Sequence, residues 1–183
     1  MTCIIGLVGK DRVYVGADSA SVNVDKLITR PTNVPKVFKR GPFIIGYTTS
    51  FRMGQLLEHW LEVPAQNPKQ SDQEYMVVQF AEKVRELLKE KGFSTIASNN
   101  ETGGTFIVAY KGKIYTMHGD FQVSEMSDGF DAVGCGSQFA LGAMSALAKL
   151  KPETRIKKSL EIAAYFSAGV CAPFRVRSMK RED

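Results

Sequence analysis

Histidine is scarce in this 183-residue chain, which has only His59 and His118. Glu58 and Glu62 neighbour the first and Asp120 the second, but neither setting has the paired-ligand spacing of a metal site. Cysteine is nearly as sparse. Cys3, Cys135 and Cys171 lie far apart, and an odd count without a CxxC spacing excludes a disulfide framework and a zinc ribbon. A reducing, cytoplasmic setting is expected. No run approaches the roughly 20 apolar residues that cross a bilayer. No signal peptide is expected either, because the apolar run Thr2 to Val8 is brief, broken by Gly6 and followed by Lys10, Asp11 and Arg12. Phosphate-binding and esterase signatures are missing as well: no GxGxxG follows a strand at the right spacing, and neither GxxxxGK[ST] nor GxSxG occurs.

What is present is an ordinary globular composition, with 44% hydrophobic residues, enough for one sizeable core and too short a chain for two usual domains. A single domain over residues 1–183 is therefore expected. The formal net charge of +5 and the pI near 9.1 raise the question of nucleic acid. Lys and Arg are scattered, however, without a basic stripe interleaved with aromatics, and the densest group, Arg175 to Arg181, reads as a solvated tail. Neither nucleic acid nor membrane is an expected partner.

The chain opens with Thr2 to Val8 and Arg12 to Ala17 as two strands joined at Gly9-Lys10-Asp11. Val37 to Lys39 and Phe43 to Tyr47 form a second pair about Arg40-Gly41-Pro42. A helix is predicted over Phe51 to Val63, with Leu56, Leu57, Trp60 and Leu61 on one face. Ser71 and Glu74 then make a capping-box pattern before the stripe Met76, Val77, Phe80, Val84, Leu87 and Leu88, ending near Gly92. After a loop around Asn99 to Gly104, Thr105 to Tyr110 and Lys113 to Met117 flank Lys111-Gly112, a hairpin signature, and Phe130 to Val133 adds a strand. Two helices follow. One runs from Ser137 to Leu150 with Phe139, Leu141, Met144 and Leu147 inward, the other from Pro152 to Val170 with Ile156, Leu160 and Ala163 inward. Pro173 is expected to stop the second, and Phe174 to Arg177 to form a last short strand. Hairpins followed by helix pairs suit an α+β sandwich, with antiparallel sheets covered by helices.

Thr2 carries the chemistry. Removal of Met1 would join a hydroxyl nucleophile and an α-amine in one residue, and an unperturbed α-amine titrates at about 7.7–8.0, basic enough to take the hydroxyl proton. Taken alone, Thr2 reads as no more than a β-branched residue in an opening strand. Four segments alter that balance: Thr2-Cys-Ile-Ile-Gly-Leu-Val, Val13-Tyr-Val-Gly-Ala-Asp18-Ser, Pro35-Lys36-Val-Phe with Gly41-Pro-Phe-Ile-Ile-Gly46, and Ala132-Val-Gly-Cys135-Gly-Ser137.

In that order the four resemble the proteasome β-subunit family, and the bacterial HslV-type N-terminal threonine peptidase in particular, over almost the whole chain. The resemblance implies a four-layer αββα sandwich, two antiparallel sheets between helix layers, and the N-terminal-nucleophile (Ntn) hydrolase mechanism. By position it makes Thr2 the nucleophile, Lys36 the lysine beside it and Asp18 the acid that aims that lysine. It puts the oxyanion donor on the backbone of Ser50, or of Thr49 if the preceding turn is shorter, and the substrate pocket at Ser21, Thr48 and Arg52. Arg52 suggests acidic side chains before the cleaved bond. Three departures stand out. Glycine is usual where Ser50 or Thr49 stands, Cys135 replaces a serine that bonds near the amine (Ser137 is its possible substitute), and no Asp or Ser is evident around Gly169 to Pro173.

The resemblance implies no cofactor. It implies a peptide or unfolded-protein substrate, a homo-oligomeric ring and an ATP-dependent unfoldase as a partner. An inactive ring or scaffold subunit is the alternative, a small-molecule amidase a third reading and a basic nucleic-acid module a fourth.

Overall fold

The computed structural model describes residues 1–181; residues 182–183, within the expected 1–183 domain, lie outside the described residues. Strands β1 (Ile4–Val8), β2 (Arg12–Ala17), β3 (Ala20–Asn23), β4 (Ile28–Pro31), β5 (Val37–Arg40) and β6 (Phe43–Tyr47) come first. Then follow α1 (Phe51–His59), the single turn α2 (Asp72–Glu74), a widened π-helical stretch Tyr75–Phe80 and α3 (Ala81–Glu90). Strands β7 (Thr95–Ala97), β8 (Asn100–Thr102), β9 (Phe106–Tyr110), β10 (Lys113–Met117), β11 (Val123–Ser124) and β12 (Phe130–Val133) precede α4 (Ser137–Ala146), α5 (Pro152–Phe166) and β13 (Arg175–Lys180).

Two antiparallel sheets dominate, one ordered β12-β1-β2-β13 and the other β11-β10-β9-β6-β5. They stack face to face. Ile4, Val13, Val15 and Ala17 of the first meet Val37, Ile44, Ile107 and Ala109 of the second in one apolar cluster. A second cluster joins the outer face of the first sheet to α4 and α5 through Ile5, Leu7, Met144, Ile156 and Leu160, and a third joins the second sheet to α1 and α3 through Phe43, Ile45, Leu56, Val84 and Phe106. Strand residues alternate between these clusters because side chains alternate across a pleat. The sheets approach closely because a glycine sits at the contact: a methyl on Gly46 would lie 2.6 Å from Ile4 Cγ2 and 2.7 Å from Val15 Cγ1. Gly46→Ala is accordingly expected to destabilise the fold by about 1–3 kcal/mol through overpacking, read as a lower urea midpoint at unchanged slope.

The β9–β10 hairpin follows from its two-residue turn. Lys111 (φ 42°) and Gly112 (φ 80°) both adopt the left-handed geometry that twists with the strands, which glycine accepts freely. Ser71 caps the central helical segment by accepting the Glu74 N–H at 3.1 Å, one half of the capping box. Phe93 and Ser94 N–H then close on Leu88 O as that segment ends at Gly92 (φ 66°).

Several expectations are corrected. Helix α1 stops at His59, and Trp60 is 49% exposed with the Arg52 guanidinium 6.0 Å from its ring. Val77 is 46% exposed rather than part of the core stripe, and Phe139, 39% exposed, stacks on the exposed Phe166 with centroids 5.2 Å apart. Helix α4 ends at Ala146 and α5 at Phe166, well before Pro173. The sheet takes over the chain there: Cys171 O accepts Ser19 N–H at 2.9 Å, and Thr29 Oγ1 donates to Ala168 O at 2.7 Å. The expected short strand at Phe174 to Arg177 is present and longer: β13 carries the basic run that was read as a solvated tail, paired with β2 from Arg175↔Ala17 to Lys180↔Arg12. Two short hairpins were not expected: β3–β4, in a stretch with no assigned element, and β7–β8, at the edge of the expected loop around Asn99 to Gly104.

Candidate functional site

Three strand ends converge on Thr2. Because β1 pairs with both β2 and β12, with Ile4 opposite Ala17 and Val133, Asp18 follows β2 on one side and Gly134-Cys135 follow β12 on the other. Lys36 enters from the facing sheet, one residue before β5. Thr2, Asp18 and Lys36 are 4%, 1% and 2% exposed.

Lys36 Nζ is the hub. It donates to Thr2 Oγ1 at 3.0 Å and to both carboxylate oxygens of Asp18 at 3.1 Å, and it reaches Met1 O at 3.4 Å. Asp18 is anchored in turn by backbone donors, Cys3 N–H at 2.9 Å, Ala20 N–H at 2.6 Å and Cys171 N–H at 3.4 Å. Burial pulls the Lys36 ammonium below the ordinary lysine range, and the Asp18 carboxylate opposes that shift. Since both side chains are almost wholly enclosed (2% and 0% exposed), this is a buried ion pair, not a rim contact.

Thr2 N–H donates to Cys135 Sγ at 3.3 Å, and the same thiol donates back to Thr2 O at 3.5 Å. Ser167 Oγ donates to Cys135 Sγ at 3.4 Å. That serine, two residues before Gly169, went unrecognised in the sequence, where the segment from Gly169 to Pro173 held no candidate; its place beside a cysteine distant in sequence left no local signal. Gly136 N–H donates to Thr2 O at 3.3 Å. Gly134 makes the approach possible: its φ of 99° is open to glycine, and a Cβ there would lie 2.2 Å from Thr2 O. Ser137 N-terminates α4 and makes no hydrogen bond to Thr2 among the described residues, so the thiol, not Ser137, meets the Thr2 nitrogen.

A cleft of about 320 Å³ opens over this centre. Ala20 and Val22 form one wall and Tyr47 to Phe51 the other, with Met1, Thr2 and Lys36 at the base. Thr48 lines it, its hydroxyl donating to Thr105 O at 2.9 Å. Ser21 does not; strand alternation turns it away from the face that Ala20 and Val22 present. Arg52 is likewise outside, held over Trp60 on the exposed side of α1. The acidic preference suggested by Arg52 loses its basis.

Ser50 and Thr49 have separate tasks. Ser50 is extended (φ −147°), caps α1 by accepting Arg52 N–H at 3.0 Å, and spends its own N–H on Thr48 O at 2.7 Å. Thr49 holds the left-handed φ of 62°, fixed by Thr105 N–H donating to its hydroxyl at 3.1 Å. Its N–H has no acceptor among the described residues, and the residue lines the cleft. A β-branched residue in this region carries roughly 1–2 kcal/mol of strain, which a glycine would avoid. Cys3, just before β1, is fully enclosed, and burial drives its thiol far up, away from the reactive thiolate. Among the described residues no group of three His, Cys, Asp or Glu side chains could hold a metal ion, and no helix is long and apolar enough to cross a membrane.

The sequence profile of the proteasome subunit matches residues 1–165. No curated protein sequence matches. Among solved structures, Thiobacillus denitrificans BPH in complex with Epoxomicin superposes with a TM-score of 0.81 at 20% identity, over 99% of this chain and 100% of that one. Eukaryotic HslV from Trypanosoma brucei gives 0.68 at 19%, over 98% and 99%. The Anbu (Gly-1) mutant from Hyphomicrobium sp. strain MC1 gives 0.66 at 14%, over 98% and 87%. At these identities the likeness is one of fold.

Proposed function

Since the chain belongs to the proteasome subunit family, we propose that it is a threonine peptidase whose nucleophile is the Thr2 hydroxyl, freed for catalysis when Met1 is removed. One observation carries the reading: a buried lysine joins the Thr2 hydroxyl at 3.0 Å to an enclosed aspartate at 3.1 Å, at the foot of a cleft.

The chemistry follows from that geometry. Thr2 Oγ1 attacks the substrate carbonyl while its proton passes, directly or through water, to the new α-amine. The Lys36 charge stabilises the oxygen as it becomes anionic and disfavours a second positive charge on the amine. Asp18 keeps Lys36 in place. The Thr49 N–H is the donor we assign to the tetrahedral oxyanion, because Ser50's is already engaged. Collapse expels the amine of the leaving peptide and leaves a threonyl ester, which water hydrolyses. Cys135, steadied by Ser167, supports the amine in the position where the family has serine. The reading extends to one domain layered as helix pair, two sheets and helix pair, supported by three separate apolar clusters. It also extends to a cytoplasmic homo-oligomeric ring that takes peptides or unfolded protein, with an ATP-dependent unfoldase as partner.

Intact-mass spectrometry with and without an epoxyketone or β-lactone tests it, a choice encouraged by the related fold held in complex with Epoxomicin. A chain lacking Met1 and gaining one adduct at Thr2 is expected. Retained Met1 with no adduct would return the inactive scaffold.

The rate of adduct formation should also be bell-shaped in pH. It rises as the α-amine loses its proton and falls as Lys36 loses its own, and because burial lowers the lysine's affinity for the proton, the falling limb sits below the ordinary lysine value of about 10.4. A rate still climbing through that value would show that the Lys36 charge is not used.

A further inference from the structure

Position 169 is glycine for room, not for backbone angle. Its φ lies outside the left-handed region, yet a Cβ on it would come within 2.4 Å of Met1 Cβ, 2.7 Å of Cys135 Sγ and 2.9 Å of Met1 Sδ. The Met1 side chain therefore lies in a notch, with the bare backbone of Gly169 against it and the Cys135 thiol alongside. About half of its surface is covered, since Met1 is 50% exposed. Met1 also lines the cleft over Thr2, so notch and cleft are continuous, and removal of Met1 opens one channel past the Thr2 nitrogen.

The notch is held in shape without Met1. Gly169 sits in a turn closed by Val170 N–H on Ser167 O at 3.1 Å. Before it, Thr29 Oγ1 donates to Ala168 O at 2.7 Å; after it, Val170 is anchored in the core and Cys171 N–H donates to Asp18 at 3.4 Å. Ser167 Oγ donates to Cys135 Sγ at 3.4 Å and fixes the thiol. None of these bonds involves Met1, so its departure leaves a preformed space.

The chemistry at Thr2 names an occupant for that space. When the tetrahedral intermediate collapses, the C–N bond breaks, its electron pair stays on the leaving nitrogen, and that nitrogen takes the proton the Thr2 amine received from the hydroxyl. The leaving nitrogen must then lie within hydrogen-bond reach of the Thr2 amine, directly or across one water. Met1 is joined to that same amine nitrogen in the unprocessed chain, so its side chain marks the space open to a residue placed there. The acyl side of the substrate goes the other way, along the wall from Thr48 to Phe51, where Thr49 lies; Cys135, Ser167 and Gly169 are not part of that wall. We infer that the notch between Gly169 and Cys135 is the subsite for the residue that follows the cleaved bond, and that it selects an unbranched side chain of about methionine's length. Branching at Cβ is disfavoured because Gly169 closes on that carbon in Met1. The subsite presupposes Thr2 as the nucleophile, as proposed above, whereas the reactivity of Thr2 does not depend on the subsite.

Internally quenched peptides that share one acyl-side sequence and carry Gly, Met or Val after the cleaved bond test it on the full chain, beside an epoxyketone, which has no leaving-side residue. The Met peptide should exceed the Gly and Val peptides in kcat/KM by at least about tenfold. In Gly169→Ala, whose methyl fills the notch, the Met-to-Gly ratio should fall to about one. A ratio of two substrates on one enzyme is unmoved by a general loss of active sites, so a merely structural role for Gly169 would leave it at the wild-type value. If Gly169→Ala yields no folded chain free of Met1, the wild-type ratios decide alone. An epoxyketone adduct on Thr2 together with equal kcat/KM for the Met and Gly peptides, or an unchanged ratio in folded Gly169→Ala, would overturn the subsite and leave the nucleophile standing. No adduct and no cleavage of any of the three peptides would overturn the Thr2 reading and the subsite with it.

Discussion

Thr2→Ala should abolish covalent capture and lower any peptide turnover by roughly 10⁴-fold or more, since removing a nucleophile leaves only binding and the oxyanion donor. The protein should nonetheless fold. Thr2 precedes β1 and contributes a single hydroxyl, and Lys36 without it still donates to Asp18 at 3.1 Å. A stability loss of about 1 kcal/mol is expected, as for one hydrogen bond and a small side chain. Thr2→Ser should keep the adduct, because hydroxyl and amine remain on one residue. The decisive comparison is intact mass after inhibitor, with a thermal melt beside it. An adduct forming on Thr2→Ala at the wild-type rate would place the nucleophile elsewhere.

Separating Lys36 from Asp18 should have the next largest effect, and the two sides of the pair should respond differently. Lys36→Met removes the charge but approximates the volume, and Asp18 keeps three backbone donors, from Cys3, Ala20 and Cys171. Capture should slow about 10²- to 10⁴-fold while stability falls by only about 2–3 kcal/mol. Asp18→Ala is worse for the fold. It strands an ammonium in a site 2% exposed and deprives those same three N–H groups of their acceptor, so a loss of about 3–5 kcal/mol is expected. Urea titration of both variants reads the difference. Equal losses would show that the backbone donors to Asp18 contribute little.

Much of the architecture was legible because it is local. The hairpins at Gly9-Lys10-Asp11, Gly41-Pro42 and Lys111-Gly112 have turn residues flanked by apolar strands, and the stripe ending at Leu87 and Leu88 has helical spacing. Local signals failed where tertiary contacts decide. Trp60 and Phe139 are apolar and at helical spacing, yet both stay substantially exposed, Trp60 beside the Arg52 guanidinium and Phe139 against the exposed Phe166, outside the core clusters. The basic run after Phe174, read as a solvated tail with a short strand at Phe174 to Arg177, is a longer edge strand, since β2 offers unpaired backbone along its full length. The helix was expected to run to Val170 before Pro173, but α5 ends at Phe166, and the segment after it is held by Thr29 at Ala168 and by Asp18 and Ser19 at Cys171.

In the site, Thr2, Asp18 and Lys36 were picked out by the resemblance of four ordered segments to the proteasome β-subunit family, each residue by itself having an ordinary structural reading. Their spacing in the chain, 16 and 18 residues, says nothing of distance. Pairing of β1 with β2 and stacking of the second sheet are what bring Lys36 Nζ within 3.0 Å of the threonine hydroxyl. The same geometry drew Ser167 in, turned Ser21 and Arg52 out, and gave the left-handed position to Thr49 instead of Ser50. Chemistry is a property of side chains and can be read from a string of them; proximity is a property of backbone pairing over long separations, and only the folded chain sets it.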